Sequence, residues 1–242
     1  MSQTVLVTGA SKGIGLAVAE ILLRDGAQVV AVQRSVTAGL AALQQKYTDT
    51  LRVVQGSFTD EDIIRRAVAA FGGLDSAVFN GGVNEPFGAL ATLPPDGWQG
   101  MFETNVFGVV RALRIVLPEL RGAAAGARVV LVSSDAANHG IPTMGAYAAS
   151  KAALNSINRT LAAEEQSIVS VAVHPGVVRT DMYTAFTVEA KAFAPPELLQ
   201  MAEASAVEPV EPGRVIAALA LRAPKELSGK YIHWNGEEVA GL

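Results

Sequence analysis

The sequence predicts a doubly wound α/β fold, a seven-stranded parallel sheet with helices on both faces. Three observations predict it. Short continuous apolar runs recur along the 242 residues, of which half are hydrophobic and only 17% charged, the composition expected of strands buried on both faces. The stretches between these runs carry apolar residues three and four apart, the spacing of helices with one buried side. Strand and helix alternate, which calls for right-handed crossovers within one sheet.

Taken in order, residues 5–8 form an apolar run ending in glycine, and Ile14, Val18, Ile21 and Leu22 give residues 14–25 helical spacing. Residues 28–32 read as a second buried strand, 38–47 as a helix and 51–55 as a third strand. Thr59 is expected to cap a helix running to Phe71, with Asp60, Glu61 and Asp62 in its first turn, where carboxylates meet the positive end of the helix dipole. Residues 76–79 are the fourth strand. After a loop containing Pro86, Pro94 and Pro95, one long helix is expected over 98–120, with Pro118 signalling a kink or an early stop. Residues 127–133 form the fifth strand, 145–165 a helix and 168–174 the sixth strand; 196–206 and 212–222 read as helices, and 230–234 closes the sheet. No repeat, low-complexity tract or linker interrupts the chain, so residues 1–242 are read as one domain.

Composition removes several function classes. The formal net charge is −4 with no basic stripe, so nucleic acid is not an expected partner. The absence of cysteine excludes disulfides, thiolate nucleophiles and thiolate-bound metals. His139, His174 and His233 are the only histidines, and their spacing suits no zinc site, so no metal is expected. The start, MSQTVLVTGAS, enters a strand pattern at once without the basic and apolar regions of a leader, and no window is apolar for long enough to span a membrane. A soluble, cytoplasmic protein is expected.

Two stretches carry chemistry. The turn between the first strand and helix reads TGASKGIG, from Thr8 to Gly15. A dinucleotide fold sets its pyrophosphate against exposed helix N–H groups at this place, and glycines let the backbone approach without a Cβ in the way. The spacing matches the common G-x-G-x-x-G pattern only loosely. The end of the second strand discriminates between cofactors, since an acidic residue there holds a ribose hydroxyl and a basic one a 2′-phosphate. Here Gln33 and Arg34 stand, with Lys12 as a second cation nearby, which favours NADP(H) over NAD(H); otherwise both cations are solvated surface residues.

The second stretch is SSDAANHGIPTMGAYAASK, from Ser133 to Lys151. On a helix, Tyr147 and Lys151 lie one above the other on one face. A free tyrosine has a pKa of about 10, and a fixed positive charge nearby would lower it, making an acid or base for a carbonyl or alcohol oxygen. Ser134, at the end of the fifth strand, could hydrogen-bond the same oxygen. Many helices carry such a pair by accident, so the pair alone does not establish catalysis.

The TGASKGIG turn, Asn80-Gly81-Gly82, Asn105, Ser134, Tyr147-x-x-x-Lys151 and Pro175-Gly176, in this order and spacing, make the chain resemble the short-chain dehydrogenase/reductase family over essentially its whole length. The resemblance implies a Rossmann fold binding a nicotinamide dinucleotide. It implies that Tyr147 is the acid/base, that Ser134 orients the carbonyl, that Lys151 binds the nicotinamide ribose and lowers the tyrosine pKa, and that Asn105 holds a water completing a proton relay. Gly9, Ser11, Lys12, Gly13, Ile14 and Gly15 would cradle the phosphates with Arg34 nearby. Asn80, Gly81 and Gly82 would line the adenosine half, and Pro175, Gly176, Val178 and Thr180 the nicotinamide. Where the family has an aspartate against adenine, this chain has Ser57, so that contact would rest on Ser57 or the Phe58 backbone. SSDA, GAYAASKAALN, HPGVVRTDM and GKYIHWN are similar to the benzil-reductase-like and sepiapterin-reductase-like branch, which implies reduction of a ketone, diketone or aldehyde by NADPH. An alcohol dehydrogenase working in the oxidative direction and a non-catalytic dinucleotide sensor are the alternatives.

Residues 180–209 are expected to form a substrate lid, since ligands bind outside the carboxyl ends of the strands. Met182, Tyr183, Phe186, Phe193 and Met201 suit a hydrophobic carbonyl compound, or equally pack the lid helices. Asp135 could recognise a polar substrate group such as an amine; Asp181 reads as a helix cap, and His139 and His174 as structural. Outward apolar residues Val109, Leu113, Leu154 and Leu161 are expected at a dimer interface, giving a homodimer or homotetramer.

Overall fold

A computed structural model of the protein describes residues 2–123, 126–189 and 194–242. Seven parallel strands run in the order β3-β2-β1-β4-β5-β6-β7: β1 Thr4–Thr8, β2 Gln28–Gln33, β3 Leu51–Gln55, β4 Ser76–Phe79, β5 Ala127–Val132, β6 Ile168–His174 and β7 Tyr231–His233. The helices are α1 Gly13–Arg24, α2 Ala38–Lys46, α3 Glu61–Val68, α4 Pro95–Phe102, α5 Gly108–Leu120, α6 Gly145–Glu164, α7 Asp181–Glu189, α8 Pro196–Ser205 and α9 Val210–Arg222. The chain winds outward in both directions from the β1–β4 boundary, the switch point where an open parallel sheet leaves a crevice at its carboxyl edge.

Because side chains alternate across a strand, each strand feeds two cores. Val5, Val7, Val29, Ala31, Val130 and Val132 pack on one face against α1 and α9. Leu6, Val30, Val32, Val129 and Leu131 pack on the other against α3, α5 and α6. Burying each large side chain contributes about 1.5–3 kcal/mol. These two-sided requirements explain why the strands read as unbroken apolar runs. A third, smaller cluster places Met101, Ala136, Ala146 and Tyr147 against Trp98, Val83 and Met144, and so locks the start of α6 against α4.

Four expectations about the elements are corrected. Asp60, not Thr59, caps α3, its side chain accepting from Asp62 N at 2.9 Å; Thr59 is instead turned toward Ser57, the two hydroxyl oxygens 2.8 Å apart. The long helix begins at Pro95 and is interrupted by a π turn over Glu103–Phe107, while Pro118 sits in the last turn of α5 without ending it. Residues Asp181–Glu189 form a helix that the sequence pattern did not reveal, because Thr184, Thr187 and Val188 are weak helix formers and its apolar residues trace no clear stripe. Val109, Leu113, Leu154 and Leu161 are buried in the core. They face the sheet rather than a partner, and Phe107 and Val110 are the exposed apolar residues of that stretch.

Candidate active site

Two adjoining cavities open at the carboxyl edge of the sheet, with volumes of about 330 and about 480 Å³. Tyr147 lines both, as do Ile14, Ser133, Pro175, Thr180 and Met182. The first cavity is bounded by the β1–α1 turn, the ends of β2 and β4 and the loop after β3. Of the residues singled out in the sequence, Gly9, Ser11, Lys12, Gly13, Ile14, Arg34, Ser57, Phe58, Asn80, Gly81, Gly82, Tyr147, Lys151, Pro175 and Thr180 line it. Ser134, Gly176 and Val178 line the second. Gly15 and Asn105 line neither and act from behind.

The turn is built for close approach. Gly9 and Gly13 have positive φ values of 69° and 56°, and a Cβ on Gly9 would lie 2.8 Å from Gly81 Cα. Gly15 serves packing instead, since its Cβ would meet Gly9 O at 2.3 Å. Asn80 ties β4 to this turn, its side-chain amide donating to Thr8 O and Gly9 O at 3.2 Å each. The Gln33 side chain, only 5% exposed, has both amide atoms buried without a partner. Buried amides are costly unless paired, and Gln33 lines the first cavity. A glycine cradle and an orphaned buried amide fit a bound dinucleotide. Arg34 is exposed at the same edge, and Lys12 is ion-paired with Asp181.

Lys151 is buried and its Nζ donates to Val132 O at 2.8 Å, which pins it at the end of β5. Its Nζ lies 5.6 Å from the centre of the Tyr147 ring. Burial pushes the Lys151 pKa down to about 8. Burial also pushes the Tyr147 phenol above its ordinary range, with only the Ser134 hydroxyl pulling the other way. Lys151 is not among the causes of this shift; its ammonium donates to Val132 O. The phenol is held protonated, ready to donate.

Asn105 sits in the π turn, a backbone irregularity that often marks functional sites. Its amide oxygen accepts from Val83 N at 2.9 Å, and its nitrogen donates to Val83 O at 2.8 Å and Ser150 Oγ at 3.0 Å. Both amide hydrogens are thus committed to holding the loop after β4 against α6. Ser150 Oγ in turn donates to Tyr147 O at 2.7 Å. Ser134 caps the short 3₁₀ turn Asp135–Ala137, accepting from Ala136 N at 3.2 Å.

The second cavity takes its walls from the loop after β5 and from α7 and α8. Met182, Tyr183, Phe186 and Met201 line it as expected, and Phe193 lies outside the described residues. Sequence reading missed Ile141, Met144 and Leu198, ordinary apolar residues that only the fold brings together. It also missed Asn84, whose amide donates to Met182 O at 3.1 Å and joins the lid to the loop after β4. Asp181 does not cap α7; Thr180 does, its hydroxyl accepting from Tyr183 N at 3.4 Å. A parallel bridge between Val178 and Val207 closes the base of the lid. His139, His174 and His233 gather around Asp135. Among the described residues, no group of side chains is arranged to hold a metal ion, and no helix is long and apolar enough to cross a membrane.

Comparison with known proteins places this architecture. The short chain dehydrogenase family model matches residues 3–190. An uncharacterised oxidoreductase of Schizosaccharomyces pombe is 36% identical over 96% of both chains. A benzil reductase of Saccharomyces cerevisiae that forms (S)-benzoin is 30% identical over 99% of this chain and 98% of its own. The crystal structure of a short-chain dehydrogenase/reductase from Saccharomyces cerevisiae superimposes with a TM-score of 0.93 at 34% identity, covering 99% of this chain and 98% of that one. The chain belongs to the short-chain dehydrogenase family of oxidoreductases.

Proposed function

We propose that the protein is an NADPH-dependent carbonyl reductase acting on hydrophobic ketones, diketones or aldehydes. The observation that carries this reading is the position of Tyr147, a buried phenol in the wall common to both cavities, with Lys151 on the side of the first and Ser134 on the side of the second. The benzil-reductase relative supports the substrate class. Gln33 and Arg34 at the end of β2 offer no carboxylate to a ribose 2′-hydroxyl, and Arg34 and Lys12 offer two cations to a 2′-phosphate. The Lys12–Asp181 pair is exposed on both sides, and such pairs are weak enough to exchange for a phosphate.

A reduced nicotinamide dinucleotide held in the first cavity would supply the hydride for the carbonyl carbon. The residues of the chain do the rest. Gly9, Gly13 and Gly81 give room for the phosphates, and Lys151 holds the nicotinamide ribose. Ser134 and Tyr147 hold the carbonyl oxygen, and Tyr147 gives it a proton as negative charge develops there. Asn105 is a positioning residue, fixing Val83 and Ser150 behind Tyr147. The apolar lid excludes water, which strengthens each of these interactions. Phe107 and Val110, exposed at the start of α5, support self-association as a homodimer through that helix.

Tyr147→Phe tests the assignment. The variant should fold, bind NADPH within about threefold of wild type and lose at least about a hundredfold in kcat. Retained turnover would remove Tyr147 from the chemistry.

A further inference from the structure

Among the described residues, one formally charged side chain lines the second cavity. Every described residue lining it other than Asp135 is apolar, a hydroxyl, an amide or a histidine. Asp135 directly follows Ser134, and both residues line the cavity. Its partners are donors without fixed charge. Asn138 Nδ2 donates at 3.3 Å from α6's leading loop, and the Tyr231 hydroxyl at 3.2 Å from β7. His139 Nε2 stands 3.3 Å from one carboxylate oxygen and His233 Nε2 3.7 Å from the other. From β6, His174 Nδ1 accepts the Asp135 backbone N–H at 3.1 Å, and burial pushes its pKa down to about 4, so it is uncharged at neutral pH. The Asn138 amide and the Tyr231 hydroxyl are neutral donors, which orient a carboxylate without cancelling its field, and in a cavity with low-dielectric walls that field reaches a bound ligand.

We infer that Asp135 sets the charge of the substrate: the cavity admits neutral or cationic carbonyl compounds and turns away anionic ones. The inference rests on the carbonyl-reductase reading and adds to it a rule of selection. The same carboxylate gives an ammonium or amide group on the substrate a partner near the reacting carbon.

Three aryl diketones of one shape test the rule, bearing a para carboxamide, carboxylate or aminomethyl group. They are assayed side by side at one pH. Wild type should reduce the carboxylate with kcat/KM about tenfold below that of the carboxamide, and salt at about 0.5 M should narrow the gap by screening. Asp135→Asn should raise the carboxylate-to-carboxamide ratio about tenfold and lower the aminomethyl-to-carboxamide ratio, whatever it does to the carboxamide alone. Equal kcat/KM for carboxylate and carboxamide in wild type would overturn the rule without any variant, and so would ratios that Asp135→Asn leaves unchanged. If wild type binds NADPH and reduces none of the three, the reductase reading itself fails and the rule falls with it.

Discussion

Around the first cavity the chain presents backbone: Gly9, Gly13, Gly81 and Gly82 stand where a side chain would intrude. Around the second it presents side chains, with Met182, Tyr183, Phe186, Leu198 and Met201 facing Ser134 and Asp135. The difference lies in how tightly each site constrains its sequence. A backbone cradle tolerates one residue type at each close approach, so it leaves a spelled-out signature. An apolar wall accepts many sets of residues of similar volume, so it leaves only a composition. Tyr147 lines both, which is why the proposed function has binding of one ligand meet chemistry on the other there.

Substitutions on either side should separate the two behaviours. The largest effect is expected at the backbone site. Gly15→Ala places a Cβ 2.3 Å from Gly9 O, a backbone atom, and 2.6 Å from the Asn80 side-chain amide that ties β4 to the turn. It should destabilise the protein by about 3 kcal/mol and weaken NADPH binding, read by chemical denaturation and cofactor titration. A variant as stable as wild type would mean that the turn is looser than its contacts imply.

The side-chain site should respond more gently and only toward substrate. Phe186 packs on Phe87 with ring centres 6.1 Å apart and lines the second cavity. Phe186→Ala should raise KM for a diaryl diketone about tenfold, the worth of about 1.4 kcal/mol of lost apolar contact, while the NADPH dissociation constant stays within about twofold. Equal losses for both ligands would break the division between the cavities.

The smallest effect probes the boundary between them. The Lys151 pKa is lowered from 10.5 to about 8 in the folded protein. The folded state therefore holds fewer protons than the unfolded one between those two values, and stability rises with pH across that window. The burial cost of the charge is present in full below pH 8 and fades toward 10.5. Lys151→Met removes this cost, which is at most about 3 kcal/mol, and leaves Val132 O without its donor at a cost of about 1–3 kcal/mol. The net change at pH 7 is small. Its pH dependence is the readout: the melting temperature of the variant minus that of wild type should fall as pH rises from 8 to 10.5. A difference that stays constant would show that Lys151 is not held at a lowered pKa.

The same contrast explains how much was legible in the sequence. Strands such as β4 and β6 were readable to the residue, because burial on both faces demands largely apolar runs between turn residues. Gly9, Gly13 and Gly81 were readable because positive φ or a close backbone approach admits little else. The π turn that carries Asn105 was not, since it depends on how α4 and α5 meet α6 and not on local propensity. The gathering of His139, His174 and His233 around Asp135 was equally hidden, because the four residues come from one loop and two strands that are joined only by the sheet. Val109 and Leu113 read as outward apolar residues because one helix alone does not show which side the sheet covers.

The most direct measurement follows consumption of reduced nicotinamide when an aryl diketone is added to the protein, first with NADPH and then with NADH, and afterwards with an aliphatic diketone, a quinone and a pterin. The account predicts that NADPH is consumed in step with the aryl diketone and faster than NADH. Binding of NADPH with no reduction of any of these compounds would contradict it.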